Sequence, residues 1–175
     1  MRIGLVLLNI FSFLLMSCGD GESQSQITDT ETENQKTPIT AKAIENFDYS
    51  DYALSTNGEE AVADWEKYQE LAIQISYLKK ADLSFFNGDK KLLKKFIDEF
   101  KAQIPEDLQT NPIISRTIII ETTLLRLNEN LTLDNIDSDL KLESVKEVVV
   151  AFSNLNYQIN KKLSRDIYEQ IKAEY

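Results

Sequence analysis

The chain has 175 residues, with 19 Lys and Arg against 29 Asp and Glu, and its formal net charge is −10. Because so acidic a protein repels phosphate backbones, we expect no nucleic-acid partner. The sequence has no His and only one Cys, which argues against His-based catalysis, most transition-metal sites and disulfide bonds. Glycine-rich phosphate loops and the Gly-x-Ser-x-Gly nucleophile motif are also missing. We therefore expect a protein that has no cofactor and no metal site and is not an enzyme.

Residues 1–17 have the features of a secretory signal peptide. Arg2 supplies a positive charge, and an uncharged, mostly apolar run extends from Ile3 to Met16. This run is shorter than the roughly 20 apolar residues that a membrane-spanning helix needs. A basic start, a short apolar run and a small residue before the cleavage point are typical of an export signal.

The end of this segment, Leu15-Met16-Ser17-Cys18, resembles the lipobox of bacterial lipoproteins. The resemblance implies that Cys18 receives a diacylglycerol, that the signal is removed before it, and that the new amino terminus is acylated, commonly with palmitate. Two or more acyl chains hold a protein stably on a membrane. The predicted location is therefore the cell envelope outside the cytoplasm, with Cys18 as the lipidation site and the membrane as a partner.

Residues 18–44 are small, polar and acidic, with little to bury, and they are predicted to form a disordered tether. The helical domain is predicted to span residues 45–175. Phe47, Tyr49 and Tyr52 near its start suggest an irregular arm that docks on the domain.

Four helices are predicted in the domain. After residue 57, Gly and Pro occur only at positions 58, 88, 105 and 112. In the segments between them, apolar residues recur at the spacing of amphipathic helices. The predicted helices span about 57–86, 89–104, 112–130 and 138–174. The expected fold is all-α: an antiparallel four-helix bundle with long first and last helices, preceded by the disordered tether.

The ends of the first two helices carry specific signals. A capping box that uses Thr56 or Asn57 begins the first helix, and Asn87-Gly88 is expected to end it. The sequence leaves open whether the first two helices close into a hairpin or form a nearly continuous rod.

Two further patterns concern the last two helices. The run Thr117–Thr123 is rich in β-branched residues, which favour strands, but the spacing of its apolar residues favours a helix. A second apolar seam on this helix, formed by Ile114, Ile118 and Leu125, predicts that it has neighbours on two sides. Beyond Leu163 the apolar stripe along the last helix becomes narrower. The C-terminal end of this helix is therefore expected either to project from the domain or to border a binding contact.

The segment from Asp134 to Asp139 concentrates oxygen ligands but does not match a calcium-binding loop. Counted as an EF-hand from Asn135, the sixth position is Leu140 instead of the required Gly, and the twelfth is Lys146 instead of Glu. The segment is therefore expected to separate the last two helices and to cap the final one.

The charge pattern has one basic region. Seven Lys lie between Lys79 and Lys101, and on a helical wheel Lys90, Lys94 and Lys101 cluster, flanked by Lys91 and Lys95. Such a face is either an interaction patch for anionic lipid or an acidic partner, or an ordinary solvated surface.

The preferred function is a non-catalytic interaction or structural module of the cell envelope, with an envelope protein of unknown identity as its partner. The composition and the Cys-Gly-Asp-Gly-Glu start resemble small uncharacterised helical lipoproteins of Bacteroidota, which implies an outer-membrane location and no particular activity. One alternative is a small-ligand binder that uses the bundle interior or the aromatic arm at Phe47, Tyr49 and Tyr52. A carboxylate-based hydrolase is the other alternative.

Overall fold

The computed structural model describes residues 39–174, and this part of the chain is all-helical without strands, as predicted. Cys18, the predicted signal peptide and residues 18–38 of the predicted tether lie outside the described residues. The α-helices, in chain order, are α1 (Ala41–Glu45), α2 (Thr56–Ala61), α3 (Glu66–Leu78), α4 (Lys90–Ala102), α5 (Asn111–Thr132) and α6 (Ser138–Glu174), and a 3₁₀ turn at Glu106–Leu108 precedes α5.

The prediction of one long first helix over 57–86 was wrong, because the structure divides this segment. Helix α2 is capped by Ser55, whose side chain accepts a hydrogen bond from the Gly58 amide, so neither Thr56 nor Asn57 is the N-cap. The chain then turns at Val62–Trp65 before α3 begins. This turn allows Val62 and Trp65 both to be buried, at 1% and 0% exposure. Burial of two large apolar side chains therefore outweighs the continuity of the helix.

Helix α3 ends at Leu78, well before the expected terminator at Asn87-Gly88. Ala81 adopts a left-handed conformation with φ 65°, and the Asp82 amide bonds back to the Tyr77 carbonyl at 3.0 Å. This is the geometry that usually calls for Gly after a helix. The early turn places Phe86 in the core with no exposed surface.

Helices α3 and α4 pack against each other, which resolves the choice between hairpin and rod in favour of the hairpin. The indole N–H of Trp65 donates to the Phe100 carbonyl at 2.8 Å, and the Lys67 amide donates to the Gln103 side chain at 2.9 Å. Asp89 caps α4 by accepting a hydrogen bond from the Lys91 amide at 2.6 Å.

Helices α5 and α6 form the most extensive contact of the domain and run antiparallel. The side chain of Asn130 donates a hydrogen bond to Ser144 at 2.5 Å, and that of Arg126 donates to Glu147 at 2.6 Å. The earlier residue of α5 thus pairs with the later residue of α6, as antiparallel helices require. The β-branched run 117–123 lies inside α5, which confirms the helical interpretation. Helix α6 has 37 residues against 22 in α5, and every residue from Ile167 to Glu174 is exposed. The long last helix was predicted, but the long first helix is not observed.

The segment before α2 lies along α6, as expected of a docking arm. The Ser153 hydroxyl accepts from the Tyr52 amide at 2.7 Å and donates to the Ser50 carbonyl at 2.6 Å. Asn156 donates to the Tyr52 carbonyl at 2.9 Å. Ile44 in α1 is 3% exposed, so the ordered domain includes residues that were assigned to the tether.

The core lies where α3, α4, α5 and α6 meet. Its largest fully buried side chains include Trp65, Phe86, Phe100, Leu124 and Leu155. Among residues 39–174, none of the helices combines the length and the apolar character needed to cross a bilayer.

Candidate interaction surface

The predicted basic cluster is divided by ion pairs with α5. Lys90 lies 3.3 Å from Glu129, and Lys101 lies 2.6 Å from Glu121. The helical wheel groups these two lysines with Lys94 on the face that was predicted to be either an interaction patch or an ordinary solvated surface. Their charges are instead compensated across the α4–α5 contact, where they help to hold the two helices together.

The other three lysines of the cluster lie on the exposed side of α4. Within the described part of the chain, Lys91 and Lys94 form no ion pair, while Lys95 lies 3.7 Å from Glu99. Leu92 stands in the same turn and is 68% exposed, the highest value among the large hydrophobic side chains described. Lys91, Leu92, Lys94 and Lys95 are called here the α4 surface.

A groove between α3 and α4 adjoins this surface and has a volume of about 350 Å³. Its apolar lining includes Phe85 and Phe96, whose rings meet edge to face with centroids 5.1 Å apart. Leu92 and Lys95 belong both to the groove lining and to the α4 surface. The lining also holds the carboxylates of Glu70, Asp89 and Glu99, so the groove offers a partner apolar side chains with charges of both signs beside them.

Lys67 forms the charged wall of the groove. Its ammonium lies 2.7 Å from Glu70, 3.3 Å from Glu99 and 5.2 Å from the centre of the Phe96 ring. The hydrogen bond to Glu70 raises the pKa of Lys67, so this cation stays charged at neutral pH. Lys67 has no distinguishing signal in the sequence, because its position in the groove depends on α4 lying against α3.

The loop that closes the groove is held by one buried amide. Asn128 of α5 is 1% exposed, and its Nδ2 donates to the carbonyls of Phe86 and Gly88 at 2.8 and 2.9 Å. These two bonds fix the path of the chain just before α4. They therefore position Phe85 on one side and the first turn of α4 on the other.

The aromatic arm has a different setting from the groove. Phe47 and Tyr49 are partly buried against the core, and burial raises the pKa of Tyr49. Tyr52 packs against Tyr157 with ring centroids 4.8 Å apart. The groove-lining residues all come from the segment between Lys67 and Glu99, so the arm and the groove are separate candidates for ligand binding.

A second cleft of about 320 Å³ lies between α5 and α6, where Arg126 bonds to both carboxylate oxygens of Glu147. Residues 39–174 contain no group of three or more His, Cys, Asp or Glu side chains arranged to hold a metal ion. Comparison with protein-family models, with curated proteins and with solved structures finds no match for this chain.

Proposed function

We propose that this protein is a lipid-anchored module of the cell envelope that binds a protein partner through the α4 surface and carries out no catalysis. Cys18 in the lipobox-like sequence supports the anchor, and the acidic segment after it supports a tether. Tethering to a membrane raises the local concentration of whatever the domain binds. The outer membrane is the proposed location, on the strength of the acidic residues that follow Cys18.

The exposure of Leu92 is the observation that carries this proposal. Isolated apolar side chains on a surface are common, but Leu92 sits at the rim of an apolar groove and beside Lys91 and Lys95. An apolar anchor next to a pocket and surrounded by polar groups is the usual anatomy of a protein contact. Lys91 and Lys94, which form no ion pair within the described part of the chain, favour a partner with acidic residues around an apolar side chain.

We also propose that α3, α4, α5 and α6 form an antiparallel four-helix bundle. The closed α3–α4 hairpin, the antiparallel α5–α6 pair and the ion pairs between α4 and α5 support this arrangement. Such a bundle provides the rigid support that a surface contact requires.

The anchor is tested by metabolic labelling with radioactive palmitate. The wild-type chain should incorporate label, and Cys18→Ala should not. Label retained in Cys18→Ala would refute the lipid anchor and leave the binding surface to be tested on its own.

The α4 surface is tested by cross-linking in living cells, followed by identification of the proteins that co-purify. Lys91→Glu with Lys94→Glu should remove the dominant partner. The matched control is Lys161→Glu with Lys172→Glu, two exposed lysines of α6 whose reversal changes the net charge equally. A partner lost in both variants would show a general charge effect, and a partner retained in both would eliminate the α4 surface as the contact.

The second candidate is binding of a small amphipathic ligand in the α3–α4 groove, which the groove volume of about 350 Å³ favours. A ligand from a screen should raise the melting temperature of the wild type but not of Leu92→Asp. The third candidate, a carboxylate-based hydrolase, rests on composition alone. Its test is an activity that disappears when one Asp or Glu is replaced while the fold stays intact.

A further inference from the structure

The C-terminal half of α6 carries aromatic and basic side chains on the side that faces away from the core. The core side of this stretch is formed by Leu155 and Ile159, which are buried, and by Leu163, which packs against the core. Because an α-helix has 3.6 residues per turn, positions about two residues away from these lie on the opposite side. The exposed side chains there, called here the α6 row, are Tyr157, Lys161, Arg165, Tyr168 and Lys172.

The cations of the α6 row are not compensated by neighbouring carboxylates. Within residues 39–174, none of the three forms an ion pair. Two acidic residues lie among them in the sequence. Asp166 pairs with Lys162 at 2.5 Å on another side of the helix, and Glu169 lies at the edge of the row, one turn after Arg165. The row is therefore locally positive in a chain whose net charge is −10.

The two tyrosines of the α6 row alternate with its cations. Tyr168 is 63% exposed and Tyr157 is 41% exposed. The ammonium of Lys161 lies 5.8 Å from the centre of the Tyr157 ring, so aromatic and basic groups form one continuous surface. Helix faces on which Tyr adjoins Lys and Arg are typical of segments that lie at the headgroup level of a membrane.

The arm, which follows Cys18 in the chain, packs beside the α6 row. Tyr52 of the arm lies against Tyr157 with ring centroids 4.8 Å apart, and helix α1 also packs on α6. The residues between Cys18 and Ile39 can span up to about 70 Å when fully extended. A lipid on Cys18 and the α6 row can therefore reach the same membrane.

We propose that the α6 row lies against the anionic headgroups of the membrane that holds the anchor. This inference rests on the proposed lipid at Cys18 and adds the orientation of the domain. Anionic lipids attract Lys and Arg near the membrane surface, and Tyr168 sits among the headgroups. In the proposed bundle, α4 packs on α3 and α5 and lies diagonally across from α6. The contact therefore turns the α4 surface away from the membrane and towards its partner.

Fluorescent labels at two positions of the lipidated chain test this orientation. Because Cys18 carries the lipid, an introduced cysteine is the only free thiol. Ser164→Cys places an environment-sensitive label one turn before Tyr168, and Leu92→Cys places the control label on the α4 surface. Both native residues are exposed and uncharged. In vesicles of phosphatidylethanolamine and phosphatidylglycerol, lipids that carry a nitroxide quencher should quench the label at position 164 strongly and the label at position 92 weakly.

Charge reversal tests the role of the cations. Arg165→Glu with Lys172→Glu should remove most of the quenching at position 164. Lys91→Glu with Lys94→Glu changes the net charge equally and should leave that quenching unchanged. All four are exposed positions, where substitution has little effect on folding. Vesicles of phosphatidylcholine alone, which lack anionic headgroups, should also give weak quenching.

Three outcomes would overturn the inference, and they are distinguishable. Equal quenching at positions 164 and 92 would show that the α6 row does not face the membrane. A label at position 164 whose emission shifts to the blue without quenching by the lipids would show that a protein covers the row. A chain that incorporates no palmitate would refute the anchor itself, and this inference with it.

Discussion

Gly58 of α2 and Asn160 of α6 approach so closely that a Cβ atom at position 58 would lie 2.8 Å from the Asn160 Oδ1. That oxygen accepts a hydrogen bond from the Ser55 amide at 2.8 Å. The amide nitrogen of Asn160 donates to the Ala53 carbonyl, also at 2.8 Å. The side chain that Gly58 faces is therefore held by two bonds to the arm. The contact between the arm, α2 and α6 depends on the absence of a side chain at this position.

Gly58→Ala is expected to destabilise the domain by about 1–3 kcal/mol, the usual cost of overpacking. In an exposed helix the same change would be stabilising by roughly 1 kcal/mol, so the sign of the effect tests the close contact. Urea unfolding measures it. Gly88→Ala is the control, since its Cβ would meet only the Phe85 carbonyl at 3.7 Å. If Gly58→Ala were as stable as the wild type, Asn160 would have to be free to move.

Tyr68→Phe is expected to lower the free energy of unfolding by about 1–2 kcal/mol at neutral pH, because it leaves a buried acceptor without its donor. The Tyr68 hydroxyl donates to the Asn156 Oδ1 at 2.7 Å, and both residues are buried. Tyr168→Phe, at a site 63% exposed, should change the stability little.

Tyr68 also makes the stability depend on alkaline pH. Burial raises the pKa of Tyr68 above its ordinary value of 10.0, so the folded chain keeps a proton that the unfolded chain loses. The contribution is complete below pH 10 and decreases as pH rises above it, by up to about 1.4 kcal/mol per pH unit. Unfolding should be measured below and above pH 10 for the wild type and Tyr68→Phe. The difference between their free energies of unfolding should become smaller as the pH rises above 10. Parallel pH profiles would contradict the raised pKa.

Asn128→Ala is expected to lower the free energy of unfolding by about 1–3 kcal/mol, because the buried Phe86 carbonyl and the partly buried Gly88 carbonyl lose their donor. Hydrogen exchange should then increase in residues 83–89 ahead of the rest of the domain. Asn154→Ala, on the exposed side of α6, serves as the control. Unchanged exchange in the loop would show that other contacts hold it.

The two ion pairs between α4 and α5 should differ in strength. Lys101 and Glu121 are 2.6 Å apart with side chains 33% and 22% exposed, whereas Lys90 and Glu129 are 3.3 Å apart and 59% and 57% exposed. Double-mutant cycles with Gln should give about 1 kcal/mol for the first pair and less than about 0.5 kcal/mol for the second. Equal coupling energies would show that burial has little influence here.

Local patterns account for most of what could be predicted about this fold. The scarcity of Gly and Pro and the apolar periods indicated helices, and the structure places α4, α5 and α6 close to the predicted positions. The β-branched run in α5 was assigned correctly because its period outweighs its strand propensity. Such signals act within a few turns of one helix, which is why they are visible in the sequence.

The errors occurred where a distant contact decides the conformation. The break between α2 and α3 serves to bury Trp65 against α4, and no Gly or Pro marks it. The left-handed residue that ends α3 is Ala81, which carries no sequence signal. Similarly, which lysines of α4 are compensated depends on Glu121 and Glu129 of α5, and helix periodicity alone cannot reveal that pairing.

The helical class, the acidic charge and the lipobox-like segment at Cys18 are visible in the sequence, because each depends on composition or on neighbouring residues. The position of Lys67 in a groove beside Leu92, and the exposure of Ile118 on α5, depend instead on how the helices pack. Exposure and charge compensation are properties of the packed domain. They are set by side chains far apart in the chain, whose meeting depends on the free energy of burying the common core.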